Sequence, residues 1–259
     1  MKKIYWFILL LVIAIFLCFS SCAKGEIKDK NETLINIYGD DAFSEISDWS
    51  NCSNAEEVSI MSVNINDVSF LQECQNIRAL KLYNCNINDV TPIAQLPLLE
   101  KLELVKIPIS NIDIVGSIKT LKVINLSQLN VSDITLVYNN NLKELSINDL
   151  PIDSIDWIEE SSMLENLAIM NCTVPDISSV GKLKNIKYLT IVRTGIKDIT
   201  PLANLMSLEM LTLEGNNISN VDALRGLKNL QKLYIQDNPL TEDQIDELRE
   251  ALPNCDIYF

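Results

Sequence analysis

The chain of 259 residues contains no histidine. The commonest general base, and every catalytic triad built on it, is therefore missing, which argues against an enzyme. Seven glycines occur, and none lies in a phosphate-cradling loop, since Gly181-Lys182 lacks the glycine spacing such a loop needs before it. The cysteines show no zinc-ligand spacing, so neither a metal nor another cofactor is expected. Basic residues are scarce: 21 Lys and Arg face 35 Asp and Glu, a formal net charge of -14. Such a body should repel nucleic acid and anionic membrane surfaces. The acidity reads as keeping an exported protein soluble rather than as an acidic site for a basic partner. Abundant carboxylates without a cleft to pair them do not argue for a glycosidase.

What the chain does have is a period. Val58, Leu80, Leu102, Ile124, Leu145, Leu167, Leu189, Leu211 and Leu233 recur every 22 residues, with one step of 21. Aligned, the units read L-x-x-L-x-L-x-x-N/C-x-I-x-D-I-x-x-L-x-x-L. Residues 77–96 supply Ile77, Leu80, Leu82, Cys85, Ile87, Asp89, Val90, Ile93 and Leu96, and residues 186–205 supply Ile186, Leu189, Ile191, Thr194, Ile196, Asp198, Ile199, Leu202 and Leu205. A fixed period of this length means stacked structural units. Each L-x-L segment reads as a short strand whose two apolar residues face a core that one unit cannot close. The returning segment, such as Ile218, Val221, Leu224 and Leu227, covers the same core from the convex side. The expected fold is an α/β repeat: a solenoid with a concave parallel β-sheet, short convex turns and a C-terminal capping helix. Nine strands at a spacing of about 4.8 Å would make a sheet roughly 40 Å long, suited to a protein or polymer rather than a metabolite.

This template resembles the 22-residue leucine-rich repeats of bacterial internalins, and also the repeat of a eukaryotic phosphatase-regulator subclass. The resemblance implies a protein-binding module that acts through its concave face.

The ends of the chain complete the organisation. Lys2 and Lys3, an apolar run of sixteen residues from Ile4 to Phe19, and then Ser20-Ser21-Cys22 form an export signal with small residues before a cysteine. The run falls short of the roughly 20 residues needed to span a bilayer. This start resembles a bacterial lipoprotein signal, with Phe19 standing where the usual motif has Leu, and the resemblance implies that Cys22 is acylated. Residues 1–21 are then a signal peptide, 22–33 a tether, 34–57 an N-terminal cap or degenerate repeat, 58–240 the repeats and 241–259 a C-terminal cap. Removing residues 1–21 takes away two lysines and no acids, so -14 becomes -16. Phe43, Ile46 and Trp49 have helix-compatible spacing for the first cap. Thr241-Glu242-Asp243-Gln244 has the form of a capping box, Ile245, Leu248 and Leu252 an inward stripe, and Pro253 a stop. Asp256 to Phe259 alternates like a last edge strand, with no further domain expected.

Individual residue types invite chemical readings. Cys52 and Cys74 are one repeat apart, which would place them near 5 Å and within disulfide range, or they pack as thiols. Cys85 and Cys172 occupy the ladder position held by Thr194, Asn216 and Asn238, a structural role. Asp67, Asp89, Asp133, Asp176 and Asp198 recur at a fixed offset, replaced by Asn111, Ser154 and Asn220 elsewhere, and read as turn-makers rather than a calcium column.

On the concave face the candidate ligand-binding residues are Tyr83, Val105, Met170, Tyr188, Val192, Arg193 and Met210. Exposed Met, Tyr and Val with an adjacent Arg resemble a protein-binding hot spot. Ordinary strand propensity also places Val and Tyr there. The expectation is an exported lipoprotein, anchored to a bacterial membrane at the cell surface or in the periplasm. As a monomer it would bind a protein ligand as an adhesin or recognition module. The alternative is a structural or assembly factor of the envelope that binds polysaccharide or neighbouring envelope proteins.

Overall fold

A computed structural model of the chain describes residues 33–44, 52–132, 134 and 141–259. Cys22, Ile46, Trp49 and Asp133 lie outside the described residues, as do the signal segment and all of the tether but Thr33. Eleven parallel strands follow one another in chain order in a single open sheet. They are β1 (Leu34–Tyr38), β2 (Glu57–Met61), β3 (Ala79–Tyr83), β4 (Lys101–Val105), β5 (Val123–Ser127), β6 (Glu144–Asn148), β7 (Asn166–Met170), β8 (Tyr188–Val192), β9 (Met210–Thr212), β10 (Lys232–Tyr234) and β11 (Asp256–Tyr258). The architecture is that of a leucine-rich-repeat solenoid.

Register follows the repeat. Leu80 pairs with Leu102 and Leu82 with Leu104, while Leu145 pairs with Leu167 and Ile147 with Ile169. The period-2 alternation of a strand sends these residues to one face and their neighbours to the other. Leu145 and Leu189 are 2% and 1% exposed and belong to one apolar core that runs the length of the stack. The sheet is two strands longer than the repeat count suggests. β11 follows the capping helix, as the alternation of its residues implies. β1 pairs with β2 and buries Ile35 and Ile37, so the core is closed one turn before residue 58.

The convex side returns the chain in about five residues per turn, too few for a full α-helix. Single 3₁₀ turns serve at Ser69–Glu73, Thr91–Gln95, Asp156–Glu160, Ser178–Lys182, Thr200–Asn204 and Asp222–Leu224. Short helices α1 (Gly39–Ser44) and α2 (Asp113–Ser117) take the same place elsewhere. The repeated acids start these turns. Asp67, Asp176 and Asp198 each accept from the backbone N–H and the hydroxyl two residues on, Ser69, Ser178 and Thr200. Asn111 and Asn220 accept the equivalent backbone bond at 2.7 Å with no charge.

The strand exits hold two further ladders. Asn216 Oδ1 accepts from the backbone N–H groups of Thr194 and Gly195, and its Nδ2 donates to the carbonyls of Ile191 and Leu213 at 2.8 and 2.9 Å. Asn238 repeats this toward Ile218 and Leu213. Cys85 and Cys172 stand in the same column, donating from sulfur to the carbonyls of Tyr83 and Met170, and burial pushes both thiols up from the usual cysteine range. Just before this column, one residue per turn adopts left-handed backbone: Ser62, Asn84, Lys106, Gln128, Asp149, Asn171, Arg193, Gly215 and Asp237. A non-glycine residue gives up about 1–2 kcal/mol there. The return is one more inter-turn bond, for example from Lys106 N–H to the Ser127 carbonyl at 2.9 Å.

The last turn is sealed by α3 (Glu242–Ala251). Thr241 Oγ1 accepts from Gln244 N–H, and Gln244 Oε1 accepts from Thr241 N–H at 3.0 Å, a complete capping box. Ile245, Leu248 and Leu252 are buried against the core. At the other end Phe43 meets Phe70 edge-on with ring centroids 5.3 Å apart.

Truncating Leu145 or Leu189 to Ala should cost about 2–5 kcal/mol in chemical denaturation, the lost transfer energy plus the cavity. Losses below about 1 kcal/mol at both sites would contradict their inward placement. The turn aspartates predict an acid limb. Hydroxyl and then backbone hydrogen bonds hold Asp67, Asp176 and Asp198 below the usual aspartate range. Their stabilising contribution is therefore complete above the ordinary aspartate pKa and fades as pH falls through the lowered values. A triple Asp→Asn variant keeps the acceptor without the titration. Its thermal midpoint should fall less than the wild type's between about pH 5 and pH 2, and parallel curves would exclude these three carboxylates as the cause.

Candidate functional site

Three outward columns form the concave face, set by alternate residues of each strand. Across β7 to β10 the first column runs Asn166, Tyr188, Met210 and Lys232, and the second Ala168, Thr190, Thr212 and Tyr234. The third pairs Met170 with Val192. Residues of the first and third columns on one strand are four positions apart, roughly 13 Å. Tyr188 and Met210 are thus direct neighbours, and so are Met170 and Val192, but the two pairs line opposite sides of the sheet.

Two of the sequence-derived site residues are not surface residues. Val105 is 5% exposed and Val192 4%. Side chains converge on the inside of a curved sheet, and each short branched valine sits beside a longer neighbour, Tyr83 and Met170 respectively. Tyr83 itself is half-buried and four strands from Met170, the nearest other candidate that is not buried, about 19 Å away. Thr212 is also buried, so a change there would disturb the sheet rather than serve as a neutral surface control.

The two ends of the face differ in chemistry. Toward the N-terminus Glu103 is held between Lys101 Nζ at 2.8 Å and Lys81 Nζ at 3.7 Å, so these charges are matched within the face. In the middle Asn171 donates to Asn148 at 2.8 Å and Asn148 to Ser127 at 3.0 Å, which uses amide groups internally. Toward the C-terminus the surface turns apolar and aromatic. Tyr188 is 43% exposed, its hydroxyl 3.3 Å from Glu209 Oε2, and Met210 beside it is half-buried. Arg193 stands at the opposite rim with an exposed side chain, 3.4 Å from Glu214. Its stem lies over Gly215, where a Cβ would come within 2.8 Å of Arg193 Cγ.

Between these rims the small side chains of Ala168, Thr190 and Thr212 form a low floor. Its C-terminal end is closed by Tyr234 and Tyr258, stacked at 4.6 Å and 7°. Sequence reasoning missed this pair, because the turn through α3 hides the register that brings Tyr258 opposite Tyr234. The alternation from Asp256 to Phe259 was the available signal. Burial, with Tyr258 and Asp256 nearby, pushes the Tyr234 phenol up from its usual range, so it stays a hydrogen-bond donor at neutral pH. Apolar and aromatic flanks, hydroxyls and the cations Arg193 and Lys232 at the margins suit recognition of a surface. Neither a nucleophile–base pair nor a convergent metal-ligand set stands on this trough, and the described residues hold no metal-ligating cluster anywhere.

Comparison with known proteins agrees with the architecture. The family described as leucine rich repeats (two copies) matches residues 207–250. Among solved structures, an internalin from Listeria monocytogenes aligns with a TM-score of 0.63 at 20% identity, covering 97% of this chain and 87% of that one. The leucine-rich-repeat ectodomain of a membrane receptor kinase from Arabidopsis thaliana, in complex with Casparian strip integrity factor 2, aligns at 0.64 and 18% identity, covering 85% of this chain and 28% of the receptor. The TLR13–ssRNA13 complex aligns at 0.62 and 18% identity, covering 78% and 32%. A search of curated proteins finds no match. At these identities the likeness concerns the fold.

Proposed function

We propose that the chain is an exported, lipid-anchored recognition module that binds a protein through the C-terminal half of its concave face. The single observation that carries this reading is the shallow trough there, flanked by Tyr188 and Met210 on one rim and Met170 and Arg193 on the other, and ended by the Tyr234–Tyr258 stack. Tyr, Met and Arg are the residue types enriched where proteins meet, and a few central anchors dominate such interfaces. The fold by itself leaves the ligand class open, since its structural neighbours include one bound to a protein factor and one bound to RNA. Charge favours protein. Affinity for nucleic acid rests on cations that neutralise phosphate, and this chain carries a net -14. Binding rather than catalysis is the role such a surface supports.

The anchor belongs to the same reading. A charged start, an apolar run too short to span and Ser20-Ser21 before Cys22 together favour export, signal removal and acylation of that cysteine. A single acyl chain binds a membrane only marginally, so stable anchoring of this acidic body calls for at least two chains on the mature N-terminus. The repeats would then stand away from the membrane on a short polar tether.

Two experiments test the two halves of the reading. Mass spectrometry of the protein from its native membrane should find a mature N-terminus at acylated Cys22, and a chain that still begins with Met1 would overturn the anchor. For the face, Tyr188→Ser combined with Met210→Ser should weaken capture of the partner recovered with wild-type protein by about 2 kcal/mol or more. The thermal midpoint should barely move, because both side chains reach the surface. Thr190→Ser, on the trough floor between the rims, is the control and should bind as wild type. Unchanged affinity in the double variant would reject this site, and preferential capture of polysaccharide would instead favour an envelope assembly role.

A further inference from the structure

We propose that Cys52 and Cys74 are joined by a disulfide in the exported protein, a staple that ties the first returning turn of the solenoid to the second. The proposal rests on the export half of the reading above. Six residues after each cysteine, Val58 and Leu80 pair directly in the sheet, so the cysteines hold the same place on adjoining turns. One strand spacing of about 4.8 Å lies within the Cα separations that a disulfide spans. Their backbones match as well. The Cys52 carbonyl accepts from Ala55 N–H at 2.9 Å, and the Cys74 carbonyl accepts from Ile77 N–H at 3.4 Å. Asn76 Nδ2 donates to the Ser53 carbonyl at 2.7 Å, clamping the two turns beside the pair.

Both side chains are buried, 1% and 0% exposed, and the two thiols are hydrogen-bonded to each other. In the turns that follow, this column carries Leu96, Ile118, Ser161, Leu183, Leu205 and Leu227. Cysteine occupies it twice, in the first two returning turns, the first of which has a neighbour on one side only. A smaller side chain there forfeits packing that leucine supplies elsewhere, and a covalent link offsets that loss. The other described cysteines have no such mate: Cys85 and Cys172 stand four turns apart and donate to strand carbonyls.

The chemistry is thiol–disulfide exchange with an exported protein disulfide as oxidant. One thiol loses its proton and attacks the oxidant's sulfur, giving a mixed disulfide. The second thiol loses its proton and displaces it. The Cys52–Cys74 bond forms, two S–H bonds are broken, and the oxidant leaves as a dithiol carrying the two electrons. The hydrogen bond with Cys52, and then burial, push the Cys74 thiol up, well above the usual range. Exchange in the closed fold is therefore slow, and the link is made before the turns close over it.

Thiol trapping on the protein recovered from its native envelope tests the proposal. With acid quenching and alkylation in denaturant before reduction, Cys85, Cys172 and Cys255 should label while Cys52 and Cys74 should not. Peptide mass spectrometry should find the latter two linked. Reductant should lower the thermal midpoint by about 5–10 °C in the wild type and leave Cys52→Ala/Cys74→Ala unmoved. Labelled thiols at both positions would overturn the proposal. A second arm, the reduced full chain unfolded in denaturant and refolded in a buffer of reduced and oxidised glutathione, then tells which premise failed. A bond formed there but not in cells means that the compartment is wrong, and no bond in either means that the geometry is.

Discussion

Everything in this molecule follows from the inability of one turn to cover its own leucines. A five-residue strand buries two side chains in the core and the rest of its turn about five more, such as Ile196, Ile199, Leu202, Leu205 and Leu208, too little apolar surface to offset the ordering of some twenty residues. Only contact with the turns before and after makes the sum favourable, so stability is a nearest-neighbour property with two exposed ends. The two ends are met differently. α3 lays Ile245, Leu248 and Leu252 over the last turn, while β1 adds a further rung at the start and Phe43 leans on Phe70.

How much was legible in the sequence depended on whether a residue's role is set within its own turn. The inward leucines, the Asp and Asn acceptors of the convex turns and the Thr241 capping box each stand where their spacing puts them, and the Asn216 and Asn238 ladder, which bonds the preceding turn, was legible because it recurs with the period. Other roles that depend on neighbouring turns were not legible in this way. Val105 and Val192 alternate outward like any surface residue, yet longer neighbours on adjacent strands cover them. β1 lies 23 residues before its partner and lacks the leucine template, so its pairing is visible only in three dimensions. The left-handed positions were hidden for another reason. The cue for such backbone is glycine, and in eight of the nine turns the residue there is Ser, Asn, Lys, Gln, Asp or Arg.

The candidate surface shows the same division. Sequence reasoning found Tyr188, Met210, Met170 and Arg193 as outward-facing residues, but it treated them as one patch. The sheet separates them into two rims with a floor of small residues between. It also adds the stacked tyrosines at the end, whose partnership depends on the register that α3 sets. On the N-terminal half, by contrast, ion pairs and amide chains already satisfy the polar groups. Local pairing of that kind leaves less to offer an incoming surface than the aromatic end does.

The left-handed residues also bear on how such a protein changes over time. From Ser62 to Gly215 each is held by its own backbone hydrogen bond to the next turn, and the non-glycine side chains project at the edge of the concave sheet, clear of the apolar interior. Substituting one for another alters the charge, length or bonding capacity shown along that edge, while packing and register stay as they were. The row from Ser62 to Asp237 is thus a strip whose surface chemistry can vary one turn at a time, its changes largely decoupled from the stability of the core.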